Sequence, residues 1–446
     1  MKRTKAAGIL AVAASLSLVL AGCASTSTSS EAPAATESAA APAEAAPSEA
    51  APTAAAECTE PIIIGSAMAQ TGFMSPFDVP ALDTARIAID KANAEGGVLG
   101  CQLELVAVDG ETNPDKGAQI ATDLISQGAK MLLVTCDYDI NAKASQVAQD
   151  AGVLVIAPCV GDTIMGPDAG LTLGFSLGSA VPGEAAIMAE YAFEKFGPNA
   201  ALFKDMSIKY TQNQCKVFEE RWTQLGGKVV AAPEFSQTPE GTLASPVTAQ
   251  VKEIKDSKPD VVALCSYPGG GAEAAAALRA GGVKTPVISG FGMDGAFWLG
   301  AVPDLSDFYF VTYASVFGDD PNPKVAELLA AYKELTGSDA ATSGLVTGAS
   351  SIEAFKLAAE QAGSTDGAAL AAALEAFSAV DLTAGPTSFS PELHVNVTRP
   401  MAVMEVQKGK HAFIEYRAAV QPILNSLVAA GCGDITSIST ACRLSR

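Results

Sequence analysis

The chain is 446 residues long, 49% hydrophobic, and carries a formal charge of −21 at pH 7. That acidity excludes nucleic acid and anionic lipid surfaces as partners. With two histidines, His394 and His411, and no C-x-x-C pair, a zinc site is excluded too, and no cofactor motif stands out.

Lys2, Arg3 and Lys5 precede an apolar run at 6–21 that is too short and wrongly flanked for a stable membrane span, and Leu20-Ala21-Gly22-Cys23 resembles a bacterial lipobox. Residues 1–22 are therefore expected as a lipoprotein signal peptide. Cys23 would carry acyl chains that anchor the protein outside the cytoplasm. A plain secretory leader with a coincidental cysteine is the competing reading. Residues 24–57 contain only Ala, Ser, Thr, Pro and Glu, so 23–57 is expected as a disordered tether. Fully extended at about 3.1 Å per residue it would reach on the order of 100 Å.

The remainder is long enough for two cores. Short apolar runs read as buried strands at 61–66, 102–108, 130–136, 153–157, 171–176, 200–204, 227–232, 260–266 and 286–290. Helices are expected at 81–94, stopped by Gly96-Gly97, at 114–127, opened by Asn113-Pro114, and at 184–196, stopped by Gly197-Pro198. This alternation implies right-handed crossovers and parallel sheets covered on both faces, an α/β class. After Asp320 three helices follow, at 323–336, 344–362 and 367–377, and strands at 401–406 and 411–416 close the domain.

Ligands of open parallel sheets settle outside the carboxyl ends of the strands. At those ends lie Asp137, Tyr138 and Asp139, then Cys159, Val160 and Gly161, then Tyr210, then Tyr267 with Gly269-Gly270-Gly271. Asp137, Asp139, Asp162 and Asp205, with only Lys204 and Lys209 nearby, make an edge that repels a free carboxylate. A neutral polar, amide-like or cationic ligand thus stands beside an amino acid. The competing readings are that these acids cap helices in solvent and that the tyrosines pack in the core.

Two strings imitate enzymes. Gly174-Phe175-Ser176-Leu177-Gly178 spells the nucleophile elbow, but 171–176 reads as a strand with its helix only after Pro182, whereas an elbow joins the two sharply. Gly269-x-Gly271-x-x-Ala274 fits a dinucleotide fingerprint superficially, yet no acid ends the next strand. Its glycines suit a backbone passing close beneath a small ligand.

From Ile62 to Tyr416 the chain resembles the leucine/isoleucine/valine-binding proteins, the solute-binding subunits of branched-chain amino acid ABC importers. The resemblance is carried by IDKANAEGGVLG at 89–100, VDGETNPDKGA at 108–118, ASQVAQDAGVLVIAP at 144–158 and LRAGGVKT at 278–285. It implies a type I periplasmic-binding-protein fold: two doubly wound parallel-sheet lobes joined by a three-crossing hinge. Lobe one would be 58–178 plus 312–382, lobe two 179–311 plus 383–416, and 417–446 a C-terminal tail. It also implies a monomer without catalytic residues, which closes on a small molecule and presents it to an ABC permease. A ligand sensor signalling to a membrane receptor is the alternative. The ligand contacts carried over are Phe77, Tyr138, Cys159, Gly161, Tyr210 and Tyr267. Relatives that grip an amino acid have Ser and Thr where this chain has Tyr138 and Gly161, and an acid where it has Phe291, for which Asp294 is the expected substitute.

Beyond Cys23, eight cysteines in an exported chain suggest disulfides. Cys58 and Cys101 each precede one of two strands expected to be adjacent and parallel, and Cys136 and Cys159 end neighbouring strands on the ligand face. Cys432 and Cys442 would close a loop in the tail, leaving Cys215 for Cys265.

Overall fold

The computed structural model describes residues 58 and 60–420. The leader, Cys23, the tether, and Cys432 with Cys442 lie outside the described residues. The first sheet is built from β1 (Ile62–Ser66), β2 (Leu103–Ala107), β3 (Met131–Leu133), β4 (Leu154–Ala157) and β5 (Gly174–Ser179). Between them run α1 (Ser75–Ala94), α2 (Pro114–Ser126) and α3 (Tyr138–Asp150). The chain then crosses through α4 (Val181–Phe196) into β6 (Asn199–Asp205), α5 (Lys209–Gln224), β7 (Lys228–Ala231), β8 (Glu234–Phe235), α6 (Thr248–Ser257), β9 (Val261–Cys265), α7 (Gly270–Ala280), β10 (Val287–Ser289) and β11 (Phe308–Thr312). It returns through α8 (Pro323–Thr336), α9 (Gly344–Ala362) and α10 (Gly367–Glu375) to a small hairpin, β12 (Val380–Leu382) and β13 (Gly385–Thr387), and to β14 (Val395–Asn396). A third crossing leads to β15 (Met401–Gln407) and β16 (Lys410–Arg417).

The first sheet has strand order β14-β5-β4-β3-β1-β2 and is parallel throughout. The second runs β16-β15-β11-β10-β9-β6-β7, with β8 also beside β6, and is parallel except that β15 runs antiparallel to β11 and β16. These are two doubly wound sheets joined by three crossings. The return to the second sheet comes later than expected. Val395 pairs with Ser176 of β5, so the segment after 383 extends the first sheet, and the third crossing falls near Arg399.

Sequence chemistry explains the local structure. Asn113 accepts from the backbone N–H groups of Asp115 and Lys116, fixing the start of α2, and Asp366 does the same at α10. The first helix begins at Ser75, earlier than the expected 81, because Pro76 sits in the first turn, where a missing N–H costs little. The expected strand at 171–176 is displaced to Gly174–Ser179 because Gly174 N–H turns back onto Leu171 O. Ser176 is buried mid-strand and donates to Val160 O at 2.6 Å, while His394 turns its ring nitrogens to Gly174 O and Glu375. No elbow is present there. Two amides of the Gly269 loop are also taken: Gly270 N–H donates to Gly241 O at 2.7 Å and Gln237 Oε1 at 2.9 Å, and Gly271 N–H to Tyr267 O at 3.1 Å, so neither is free to cradle a phosphate.

Three disulfides form: Cys58–Cys101, Cys136–Cys159 and Cys215–Cys265, with Cα separations of 5.1, 4.7 and 5.5 Å. They match the expected pairs because β1 pairs with β2, β3 with β4, and α5 packs on β9. Peptide mapping without reduction is expected to recover these three links. Replacing both Cys215 and Cys265 by Ser is expected to lower unfolding free energy by about 2–4 kcal/mol in chemical denaturation.

Candidate functional site

The carboxyl ends of the two sheets face each other across one cleft. From the first sheet it is walled by Cys136, Asp137, Tyr138 and Asp139 after β3 and by Cys159 to Asp162 after β4, with Met74 just before α1 and Phe77 within it. From the second come Ile208, Lys209 and Tyr210 at the start of α5, Tyr267 after β9, and Phe291 with Gly292 after β10. The Cys136–Cys159 disulfide forms part of the wall, tying the two strand ends of lobe one together.

The two sides already touch. Lys209 N–H donates to Asp139 Oδ2 at 2.8 Å, and Asn213 Nδ2 donates to Asp162 Oδ2 at 2.7 Å. Phe77 meets Phe291 with ring centroids 5.3 Å apart, and Phe73 meets Tyr267 at 5.6 Å. Tyr210 occupies the centre of the contact. A Cβ at Gly161 would lie 3.1 Å from its ring, so the ring fills the room that a side chain there would take.

Of the residues singled out from sequence, the structure brings Phe77, Tyr138, Cys159, Gly161, Tyr210 and Tyr267 into this cleft. Asp294 is not among its walls. Its carboxylate is fully buried and accepts from Ser343 N–H at 2.7 Å and Gly295 N–H at 2.7 Å, bracing the start of α9. The acid that approaches the Gly290 turn is Glu184, from the first turn of α4. Its Oε1 accepts from the Tyr210 hydroxyl at 2.7 Å, from Gln214 Nε2 and from Phe291 N–H at 3.3 Å. A Cβ at Gly290 would sit 1.9 Å from that oxygen, so the missing side chain makes room for an acid arriving from another element. Glu184 follows Pro182-Gly183, a helix-start signal that marks the turn but not its neighbour across the lobe.

Electrostatics follow from burial. Desolvation pushes Asp78, Asp137 and Glu184 up to about 7 and Asp294 up to about 6. For Asp78 burial outweighs the N–H groups of Ala69 and Cys136 that it accepts at 2.7 and 2.9 Å. Burial, with Glu184 close by, also raises the Tyr210 phenol well above its ordinary range, so it stays a donor. Glu184 supplies a pH test. A carboxyl with a folded value near 7 and an ordinary value of 4.5 contributes stability that is full below the ordinary value and lost as pH rises through the folded one. The unfolding free energy of the parent is expected to fall relative to Glu184→Gln between those two pH values, by at most about 1.4 kcal/mol per pH unit. His411, pushed down to about 4 by burial, acts in the opposite direction but equally in both proteins. Denaturant titrations across that window check it.

Residues 61–411 match the family described as periplasmic binding protein. The Leu/Ile/Val-binding protein BraC3 of Rhizobium johnstonii is 24% identical over 318 residues, 70% of this chain and 83% of its own. Leu/Ile/Val-binding protein homolog 3 of Brucella melitensis is 23% identical over 335 residues, 74% of this chain and 87% of its own. Among solved structures, LivJ from Streptococcus pneumoniae in complex with isoleucine superposes with a TM-score of 0.70 at 22% identity, covering 80% of this chain and 100% of that one. A solute-binding protein of an ABC transporter from Rhodopseudomonas palustris, in complex with 3,4-dihydroxybenzoic acid, does so with a TM-score of 0.67 at 20% identity, covering 81% and 98%. The matched segment covers every wall of the cleft and both sheets as far as the start of β16, and the chain belongs to the periplasmic binding protein family.

Proposed function

We propose that this protein is a lipid-anchored solute-binding protein that captures a small polar molecule between its lobes and delivers it to an ABC importer. The observation that carries the reading is the cleft itself, whose walls come from the carboxyl ends of two separate sheets. A solute touching Tyr210 and Tyr267 on one side and Phe77, Tyr138 and Gly161 on the other must bridge both lobes. Each such contact stabilises the closed arrangement, so affinity and closure are one free-energy quantity. The permease would then read the closed surface. The names of the relatives support an amino acid or related amino compound as solute: BraC3 is named for Leu, Ile and Val, and LivJ holds isoleucine.

Delivery to an importer calls for a site of release at the membrane, and the acylated Cys23 followed by the 23–57 tether supplies the attachment. The Cys23→Ser variant is expected to move from the membrane fraction to the soluble extracytoplasmic fraction. Retention in the membrane fraction contradicts the anchor.

Binding is tested by calorimetric titration with the solute that co-purifies with the protein, after its identification by mass spectrometry. A buried aromatic contact with a bonded phenol contributes about 1–3 kcal/mol, roughly 5-fold to 150-fold in affinity. Tyr267→Ala is expected to lose at least tenfold in affinity, and Tyr210→Ala likewise. Unchanged affinity in both variants contradicts the cleft as the solute site.

A further inference from the structure

Three carboxylates wall the cleft, and two of them are engaged by the opposite lobe. Asp139 Oδ2 accepts from Lys209 N–H at 2.8 Å, and the Lys209 ammonium stands 3.9 Å from Oδ1. Asp162 accepts from Asn213 Nδ2 at 2.7 Å and from Ile164 N–H at 3.0 Å. Asp137 differs. Its residue is 6% exposed, it lines the cleft, and its Oδ1 has no hydrogen-bond partner. A buried carboxylate oxygen without a donor is costly, and native structures meet that need with a partner. Asp137 is one of the residues that wall the cleft, so a solute seated there is within reach to supply the donor.

The surroundings of Asp137 restrict what that donor belongs to. The single cation of the cleft wall is Lys209, already beside Asp139. The remaining walls are uncharged and include the rings of Phe77, Tyr138, Tyr210, Tyr267 and Phe291, and ring faces attract cationic and N–H groups rather than carboxylates. We propose that Asp137 is the anchor for a hydrogen-bond donor of the solute, and that the cleft takes a small amine or amide lacking a free carboxylate. This rests on the reading of the cleft as the solute site. It also reverses the polarity expected from amino-acid binders, because the acceptor for the nitrogen lies in lobe one, on the residue before Tyr138.

The ionisable groups around Asp137 support the same choice. They are Asp78 from α1, Asp139 from α3, Asp162 after β4, Tyr267 after β9 and Lys209 from α5. Burial and the repulsion of Asp139 and Asp162 push Asp137 up to about 7, against the backbone N–H groups of Ile140 and Asp139 at the start of α3, which favour its ionised form. A cation entering the cleft favours the ionised carboxylate and expels its proton. Affinity for a permanently charged amine therefore rises with pH through about 7 and levels off above it, whereas a neutral amide shows a flatter profile.

The experiment uses the full chain and a matched panel: aliphatic amines, amides, ureas and guanidines against carboxylates of the same skeleton, together with leucine, isoleucine and valine. Thermal shift screens the panel and calorimetry at pH 6 and pH 8 measures the hits. The expected result is binding by at least one amine, amide, urea or guanidine, with its carboxylate counterpart at least tenfold weaker. Asp137→Asn is expected to cost a cationic probe at least tenfold and to remove its pH dependence. A carboxylate or one of the three amino acids binding as tightly as the matched amine or amide overturns the inference while leaving the solute site intact. So does unchanged affinity in Asp137→Asn. Absence of binding by every compound in the panel overturns the inference together with the reading it rests on.

Discussion

In a parallel sheet the carboxyl ends of the strands are where helix N-termini, free backbone groups and side chains can meet a ligand without interrupting the ladder. This chain brings two such ends face to face. The segments after β3 and β4 oppose the start of α5 and the segments after β9 and β10, and each contributes a wall of the same cleft. The proposed recognition and closure both rest on that arrangement. The contacts a solute would make are divided between lobes, and so are the contacts already present, from Lys209 N–H on Asp139 to Phe77 against Phe291.

Three crossings hold the lobes in that relation, and the polar groups buried there serve the hinge. Arg399, at the third crossing, is buried and donates to Leu177 O at 2.6 Å, close to the first crossing, and to Thr387 Oγ1 at 2.6 Å. Tyr313, at the second crossing, donates to Cys159 O at 3.2 Å, which joins the hinge to the cleft wall. Asp294 reaches across to Ser343 N–H. Breaking a buried, bonded charge of this kind is strongly destabilising, and its bonds leave the group no freedom to serve a ligand. Glu184 occupies the intermediate place, behind Tyr210, where it sets the position of a ring that lines the cleft.

The repeating strands were legible because fully buried parallel strands are continuous apolar runs. Ile62–Ser66, Leu154–Ala157 and Val261–Cys265 fall inside their expected spans. Helices with Gly or Pro at their ends were legible for the same kind of reason, as with Pro323–Thr336 and Gly344–Ala362. The third helix, Tyr138–Asp150, was not, because Asp137, Tyr138 and Asp139 read as a polar strand end when they open a helix. The buried Phe308–Thr312 strand lies outside every expected span, and the hairpin and β14 after 380 carry too few residues for a period to show. At the site, aromatic residues after strands were readable by position. Asp294 and Glu184 exchanged roles because proximity to the Gly290 turn is set by the approach of α4, which leaves no local mark in the sequence.

The central claim is that one small molecule is held between the two lobes by the groups at their strand ends. A crystal structure of the protein with its retained solute tests it most directly. The account predicts density for a single small molecule in contact with Asp137 or Phe77 on one side and with Tyr210 or Tyr267 on the other. A solute bound outside this cleft, or touching one lobe alone, would contradict it.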